Sequence, residues 1–174
     1  LRYSSIVATN EVLQLLSPKW LNYFIDLAVT KGRIPWFGAE HVNTAKEIIK
    51  EALKTPDAVC AVVDSDGKSW ALSFTDVRDV VQGTLKALES ENAIGDFFNM
   101  VGSSPTAYTT AARLIADNTD RPYIEVKMPF YWGPYVSNDK ALSMLGYNPH
   151  YDFAKMVETA LAHNRGEEID MIPT

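Results

Sequence analysis

Residues 137–149 read SNDKALSMLGYNP, and no other stretch constrains the local fold as tightly. The pattern predicts a short helix near 138–145 that stops at Leu145-Gly146, turns, and is locked by Pro149. A last helix is expected over 152–163, followed by an acidic solvated tail. The start of the chain contrasts with this ending. It carries no glycine-rich phosphate loop and opens, without Met, on the β-rich run LRYSSIVA. That run reads as a buried strand over 1–8, and the chain as a fragment or processed product.

Between these ends, helical and strand periods alternate. Ser17-Pro18 is a helix start, with Trp20, Leu21, Phe24, Ile25 and Ala28 at helical spacing and Gly32 as the stop. An aromatic loop is expected at 34–38. Val42, Ala45, Ile48, Ile49, Ala52 and Leu53 predict the next helix. Ala58–Val63 is a short apolar strand, Asp66-Gly67 a hairpin turn, and Trp70–Phe74 the returning strand. A helix with Val77, Val80, Val81, Thr84, Leu85 and Leu88 follows, capped by Thr75 or Asp76. A strand at 97–101, a helix starting at Ser104-Pro105 and a strand at 123–127 complete the pass. Such mixing defines an α/β or α+β protein, and 174 residues suit one domain or a little more.

Composition narrows the partners. The net charge of −6 argues against nucleic acid and against an anionic membrane surface. No apolar run reaches the ~18 residues of a membrane span. The single Cys60 excludes an internal disulfide and fits a cytoplasmic location.

Four patterns suggest chemistry and are better read as structure, and two more carry rival readings. Tyr123-x-x-x-Lys127 has the spacing of a proton-transfer pair, but that pair needs a helix. On a strand the two lie roughly 13 Å apart. Gly67-Lys68-Ser69 ends like a phosphate loop, yet Val62 stands where its first glycine is required. Asp64-x-Asp66-Gly67 lacks the late bidentate carboxylate of a calcium loop, because Thr75 occupies that place. His41, His150 and His163 are scattered, so no metal is expected. Asp76, Arg78 and Asp79 read as a cap with a local ion pair, with a pocket wall as the rival reading. Trp36, Phe37, Tyr131 and Trp132 fall in loops, either lining a pocket or packing beneath those loops.

Four blocks, in order, resemble the C-terminal half of the extended short-chain dehydrogenase/reductase family, the NAD-dependent epimerases and dehydratases. They are LRYSSIVAT, DSDGKSWALSFTDVRDVVQGTLKALE, FFNMVGSSPTAYTTAARLIADNT and SNDKALSMLGYNPHYDFAKMVETAL. The resemblance implies an α/β fold: the C-terminal part of a Rossmann-like NAD(P)-binding fold with its small α/β substrate-binding domain. Residues 1–10 and 76–118 would complete the Rossmann sheet and its helices. Residues 11–75 and 119–165 would form the substrate-binding region, and 166–174 the tail. NAD or NADP would be bound mainly by an N-terminal part, with Tyr3 and Ser4 near the nicotinamide. Ser5, Val62, Val63, Leu72 and Trp132 would face the substrate: a sugar, a nucleotide-sugar, or a related hydroxyl or carbonyl compound. No catalytic residue lies in this chain, so alone it should be inactive, and it should self-associate through unpaired strand edges. The rival reading is a non-enzymatic dinucleotide-sensing or scaffold module.

The departures also matter. Leu72 replaces an Arg that often meets a diphosphate, removing a fork suited to phosphate. Val7-Ala8-Thr9 stands for the family's YGP. Ser137 replaces an acidic residue, and Asp139-Lys140-Ala141 replaces SKA.

Overall fold

A computed structural model describes residues 1–30 and 39–170. The Gly32 helix stop and the aromatic loop with Trp36 and Phe37 lie outside the described residues. In chain order the elements are β1 (Arg2–Tyr3), β2 (Ile6–Val7), a 3-10 turn (Thr9–Gln14), α1 (Pro18–Thr30), α2 (Ala39–Ala52), β3 (Val59–Val63), β4 (Ala71–Leu72), β5 (Thr75–Asp76) and α3 (Val77–Glu89). After a second 3-10 turn come β6 (Asn99–Met100), β7 (Thr106–Ala107), α4 (Tyr108–Thr119), β8 (Tyr123–Lys127), α5 (Asp139–Leu145) and α6 (Phe153–Asn164). They form two compact units. The first holds 1–13, 72–106 and 134–174; the second holds 14–71 and 107–133.

In the second unit β3 and β8 form a parallel ladder in register from Val59↔Tyr123 to Val63↔Lys127. Parallel pairing needs a crossover, and α4 supplies it. Ala111, Ala112, Ile115 and Ala116 of α4 are buried, as is every residue of β3. This explains the uninterrupted apolar run VCAVV, since a strand covered on both faces does not alternate. Tyr123 and Lys127 lie on β8, as the strand reading expects. At the start of α1 the Ser17 hydroxyl accepts from the Trp20 N–H at 3.2 Å. The turn forms as predicted, but the returning strand is shorter than expected: only Ala71–Leu72 is a strand, and β3 meets the return through one antiparallel bridge, Val63↔Ser69. Asp64 Oδ1 accepts from the N–H groups of Asp66 (2.9 Å) and Lys68 (2.8 Å), and Gly67 takes φ +83°.

The helix expected at Ser104-Pro105 starts three residues later, at Tyr108. Thr106 and Ala107 are extended, and the cap comes from elsewhere in the chain. The Thr109 N–H donates to Ser69 Oγ at 3.1 Å, and the Tyr108 N–H to the Trp70 carbonyl at 2.7 Å. A cap borrowed from residues forty positions away leaves no local sequence trace.

In the first unit β1 pairs with β6 (Arg2↔Asn99, Tyr3↔Met100) and β2 with β5 (Ile6↔Thr75, Val7↔Asp76), both parallel. Residues 1–8 are therefore two short strands rather than one buried strand. The chain changes partner at Ser4-Ser5, and Tyr3 and Ile6 remain exposed. The 137–149 pattern is accounted for directly. Gly146 takes φ +64°, and the N–H groups of Gly146 and Tyr147 return to the carbonyls of Leu142 (3.0 Å) and Ala141 (3.2 Å). That stop turns Ala141, Leu145 and Tyr147 onto Phe98 and Met100. The Tyr147 hydroxyl donates to the Val101 carbonyl at 3.0 Å. The acidic tail is not simply solvated, because Arg78 Nη1 donates to the Asp170 carbonyl at 3.2 Å. Among the described residues no helix is long and apolar enough to cross a membrane.

Candidate functional site

The sequence-predicted site residues divide between the two units. Tyr3, Ser4, Ser5 and Leu72 belong to the first; Val62, Val63 and Trp132 belong to the second.

In the first unit the partner switch between β1 and β2 presents the candidates. Ser4 Oγ donates to the Ser73 carbonyl at 3.1 Å, and the Ser5 carbonyl accepts from the Thr75 N–H at 3.1 Å. These two bonds fasten the switch to the segment 72–75. Tyr3 is 42% exposed, and its hydroxyl shares a hydrogen bond with Thr84 Oγ1 at 3.1 Å. Leu72 is buried, so its side chain serves packing. Gly102 is a constrained neighbour: a Cβ there would collide with the Phe74 carbonyl oxygen, and its N–H donates to Thr75 Oγ1 at 3.0 Å.

In the second unit Val62 and Val63 are buried in β3. The Trp70 N–H donates to the Val62 carbonyl (3.0 Å), and the Ala71 N–H donates to the Trp132 carbonyl (3.1 Å). Val62, the returning strand and Trp132 are thereby tied edge to edge. Trp132 packs on Phe24 with ring centroids 6.2 Å apart. Phe24 also contacts Trp20 (5.3 Å) and Trp70 (6.3 Å), and Trp70 stacks on Phe130 at 5.3 Å while donating to its carbonyl at 2.8 Å. Packing beneath the loop accounts for Trp132. Cys60 is buried in β3; burial pushes its thiol up to about 12, against the opposing pull of Arg121.

The charged cluster at the start of α3 is the feature sequence reasoning under-read. Asp76 caps the helix through the Arg78 N–H (2.8 Å) and pairs with the Arg78 guanidinium through Nε and Nη2, both at 2.7 Å. That guanidinium lies 3.7 Å from the Tyr151 ring centroid. Asp79 is only 1% exposed and accepts from the N–H groups of His150 (2.8 Å) and Tyr151 (3.0 Å). Burial raises its pKa, and these two bonds oppose the rise. Arg78, Tyr151, Lys155, Glu158 and Asp170 also line an open groove of about 480 Å³. Arg78 pairs with Asp76 and Lys155 with Glu158 at 2.9 Å, so the cluster holds chain segments in place. The alternation of Asp76, Arg78 and Asp79 signalled a cap; their partners at 150–151 and 170 were too distant in sequence to foresee. Among the described residues no group of three His, Cys, Asp or Glu could hold a metal.

No family model matches this sequence. No curated protein matches it either. Solved structures do. A short-chain dehydrogenase/reductase superfamily protein from Agrobacterium tumefaciens with bound NAD superposes with a TM-score of 0.73 at 22% identity, over 95% of this chain and 49% of that one. ADP-L-glycero-D-manno-heptose-6-epimerase from Helicobacter pylori gives 0.57 at 18% identity, over 94% and 43%. UDP-glucuronic acid 4-epimerase from Bacillus cereus, in complex with UDP-glucuronic acid and NAD, gives 0.54 at 16% identity, over 95% and 44%. The chain spans about half the length of these proteins. It has the mixed α/β fold, with parallel strand pairs, of that half of a short-chain dehydrogenase/reductase protein.

Proposed function

We propose that this chain, carrying half of a short-chain dehydrogenase/reductase fold, is the substrate-binding part of an NAD(P)-dependent epimerase, dehydratase or reductase. One observation carries the reading: almost the whole chain follows about half of an NAD-bound protein. The four sequence blocks point the same way. On this reading the unit with β1, β2, β5 and β6 belongs to the dinucleotide-binding sheet, and the unit with β3 and β8 to the substrate region.

The residues present suit one end of a dinucleotide. Tyr3 offers an exposed ring, Ser5 is exposed, and Ser4 keeps its oxygen free to accept while its proton bonds Ser73. Tyr3 and Ser4 would hold the cofactor's nicotinamide end, and the bound cofactor would exchange hydride with the substrate. The chain has no glycine-rich turn for the pyrophosphate and no helical Tyr-x-x-x-Lys for proton transfer. Ser5, Val62, Val63, Leu72 and Trp132 are the residues proposed to serve the substrate, Ser5 and Leu72 from the first unit and Val62, Val63 and Trp132 from the second. Leu72 supplies no phosphate fork, so a small sugar, sugar acid, alcohol or carbonyl compound suits the site as well as a nucleotide-sugar. The cytoplasm is the compartment this reading implies, with Cys60 kept as a buried thiol.

The test is turnover by the native protein that contains this chain, with NAD and NADP and a panel of sugars and nucleotide-sugars. Product from the native protein and none from the 174-residue chain alone is expected. A native protein that neither binds dinucleotide nor turns over any member of the panel would sink the proposal. One that binds dinucleotide without turnover would favour the sensing or scaffold alternative, which Leu72 in place of an Arg fits as well as it fits a changed substrate.

A further inference from the structure

In the second unit, β8 leaves one backbone edge unpaired. At the two ends of the β3–β8 ladder the Val59 N–H donates to the Pro122 carbonyl and the Met128 N–H to the Val63 carbonyl, both at 2.8 Å. A parallel ladder engages every second residue of a strand. Residues 122, 124, 126 and 128 therefore serve β3, while Tyr123, Glu125 and Lys127 aim their N–H and C=O groups the other way. Strand β3 obeys the same parity. Its far edge is covered, because the Cys60 N–H donates to the Leu16 carbonyl (2.7 Å) and the Val62 carbonyl accepts from the Trp70 N–H (3.0 Å). Among the described residues β8 has no strand partner besides β3, and nothing bonds the outward backbone of Tyr123, Glu125 or Lys127.

The charges on this edge decide what it can accept. Val126 and Met128 are buried, so the alternate residues Glu125 and Lys127 take the outer face, with side chains 50% and 67% exposed. An edge of a single sign repels a copy of itself. This one carries both signs, two residues apart, and is self-complementary. When a second copy lies antiparallel with Val126 facing Val126, each Glu125 stands opposite the partner's Lys127. Both residues present their backbone outward, so the two opposed pairs exchange two hydrogen bonds each. The register centred on Glu125 instead sets two carboxylates against each other. Pro129 has no N–H to donate, which ends the ladder just beyond Met128.

We propose that the open edge of β8 is an interface between two copies of this protein, an antiparallel β8–β8 pairing about a two-fold axis at Val126, with its register set by Glu125 and Lys127. The interface is isologous, so each copy contributes both halves of the charge match. The proposal stands without the functional reading, since neither residue is among the candidate cofactor or substrate contacts.

The experiment is charge exchange across the edge, read by sedimentation equilibrium of the native protein that contains this chain. Glu125→Lys and Lys127→Glu are made separately, and circular dichroism checks that each folds as wild type does. Wild type should associate more as its concentration rises. Either reversal puts like charges opposite each other and should weaken that association about tenfold or more. An equimolar mixture of the two reversals should regain it, because an edge with two cations then meets an edge with two carboxylates. Making both changes in one chain keeps the match and should also restore wild-type behaviour, which decides the matter if a single reversal fails to fold. Masses that are the same for wild type and both reversals at every concentration overturn the proposal. So does a mixture that associates no better than its components, which would mean that the charges act without this register.

Discussion

Replacing Asp79 with alanine tests whether residues 150–151 are held by one buried carboxylate, next to Asn148, which Gln82 holds through two hydrogen bonds. The side chain accepts two backbone N–H groups, His150 at 2.8 Å and Tyr151 at 3.0 Å, from a position 1% exposed. Removing it leaves both donors without that acceptor, and an unsatisfied buried group costs roughly 1–3 kcal/mol. The carboxylate is itself disfavoured by burial, so its loss returns part of that cost. A net loss of about 2–4 kcal/mol is expected for Asp79→Ala. For a chain of this size that lowers Tm by roughly 5–15 °C. Asp79→Asn keeps one acceptor oxygen and should lose about half as much. Thermal and urea unfolding, followed by circular dichroism, give both numbers.

A pH series adds a signed check. The folded pKa of Asp79 lies above its ordinary value. The folded form therefore takes up a proton before the unfolded chain does, and this group favours folding as pH falls. The contribution is complete below the unfolded pKa and is lost as pH rises through the folded one. Wild type should gain on Asp79→Asn from neutral into mildly acidic solution. An alanine variant within a degree of wild type would refute the anchoring argument, and a gap that narrows with acid would show that the two hydrogen bonds outweigh burial at Asp79.

Gly102→Ala should sharply reduce the yield of folded protein, because the new Cβ meets backbone at Phe74 rather than a side chain able to move; urea midpoints on the soluble fraction measure it. Ser4→Ala removes the donor to the Ser73 carbonyl and should cost about 0.5–1.5 kcal/mol in the same assay. Cys60 should not react with a thiol reagent until the chain unfolds. Its folded pKa of about 12 also predicts stability falling above about pH 9, by up to about 1.4 kcal/mol per unit, as the unfolded thiol ionises first; Cys60→Ala should remove that component.

Local chemistry was legible in the sequence wherever cause and effect lie within a few residues. Ser17 caps α1, Asp76 caps α3, Gly67 turns the hairpin and Gly146 ends α5, because each answers a backbone need within four residues. The unbroken apolar run of β3 announced a strand covered on both faces, and the alternation of YIEVK kept Tyr123 and Lys127 off a helix. What needed tertiary structure was every choice between distant partners. Residues 1–8 split at Ser4-Ser5 because two different strands, β6 and β5, compete for one segment. The α4 cap comes from Ser69, and Asp79 reaches to 150–151. Helix α3 turns its apolar stripe outward because Asp79 and Gly83 claim the near side. Sequence periodicity shows that a helix has two faces; which of them is buried depends on the neighbours the rest of the chain delivers.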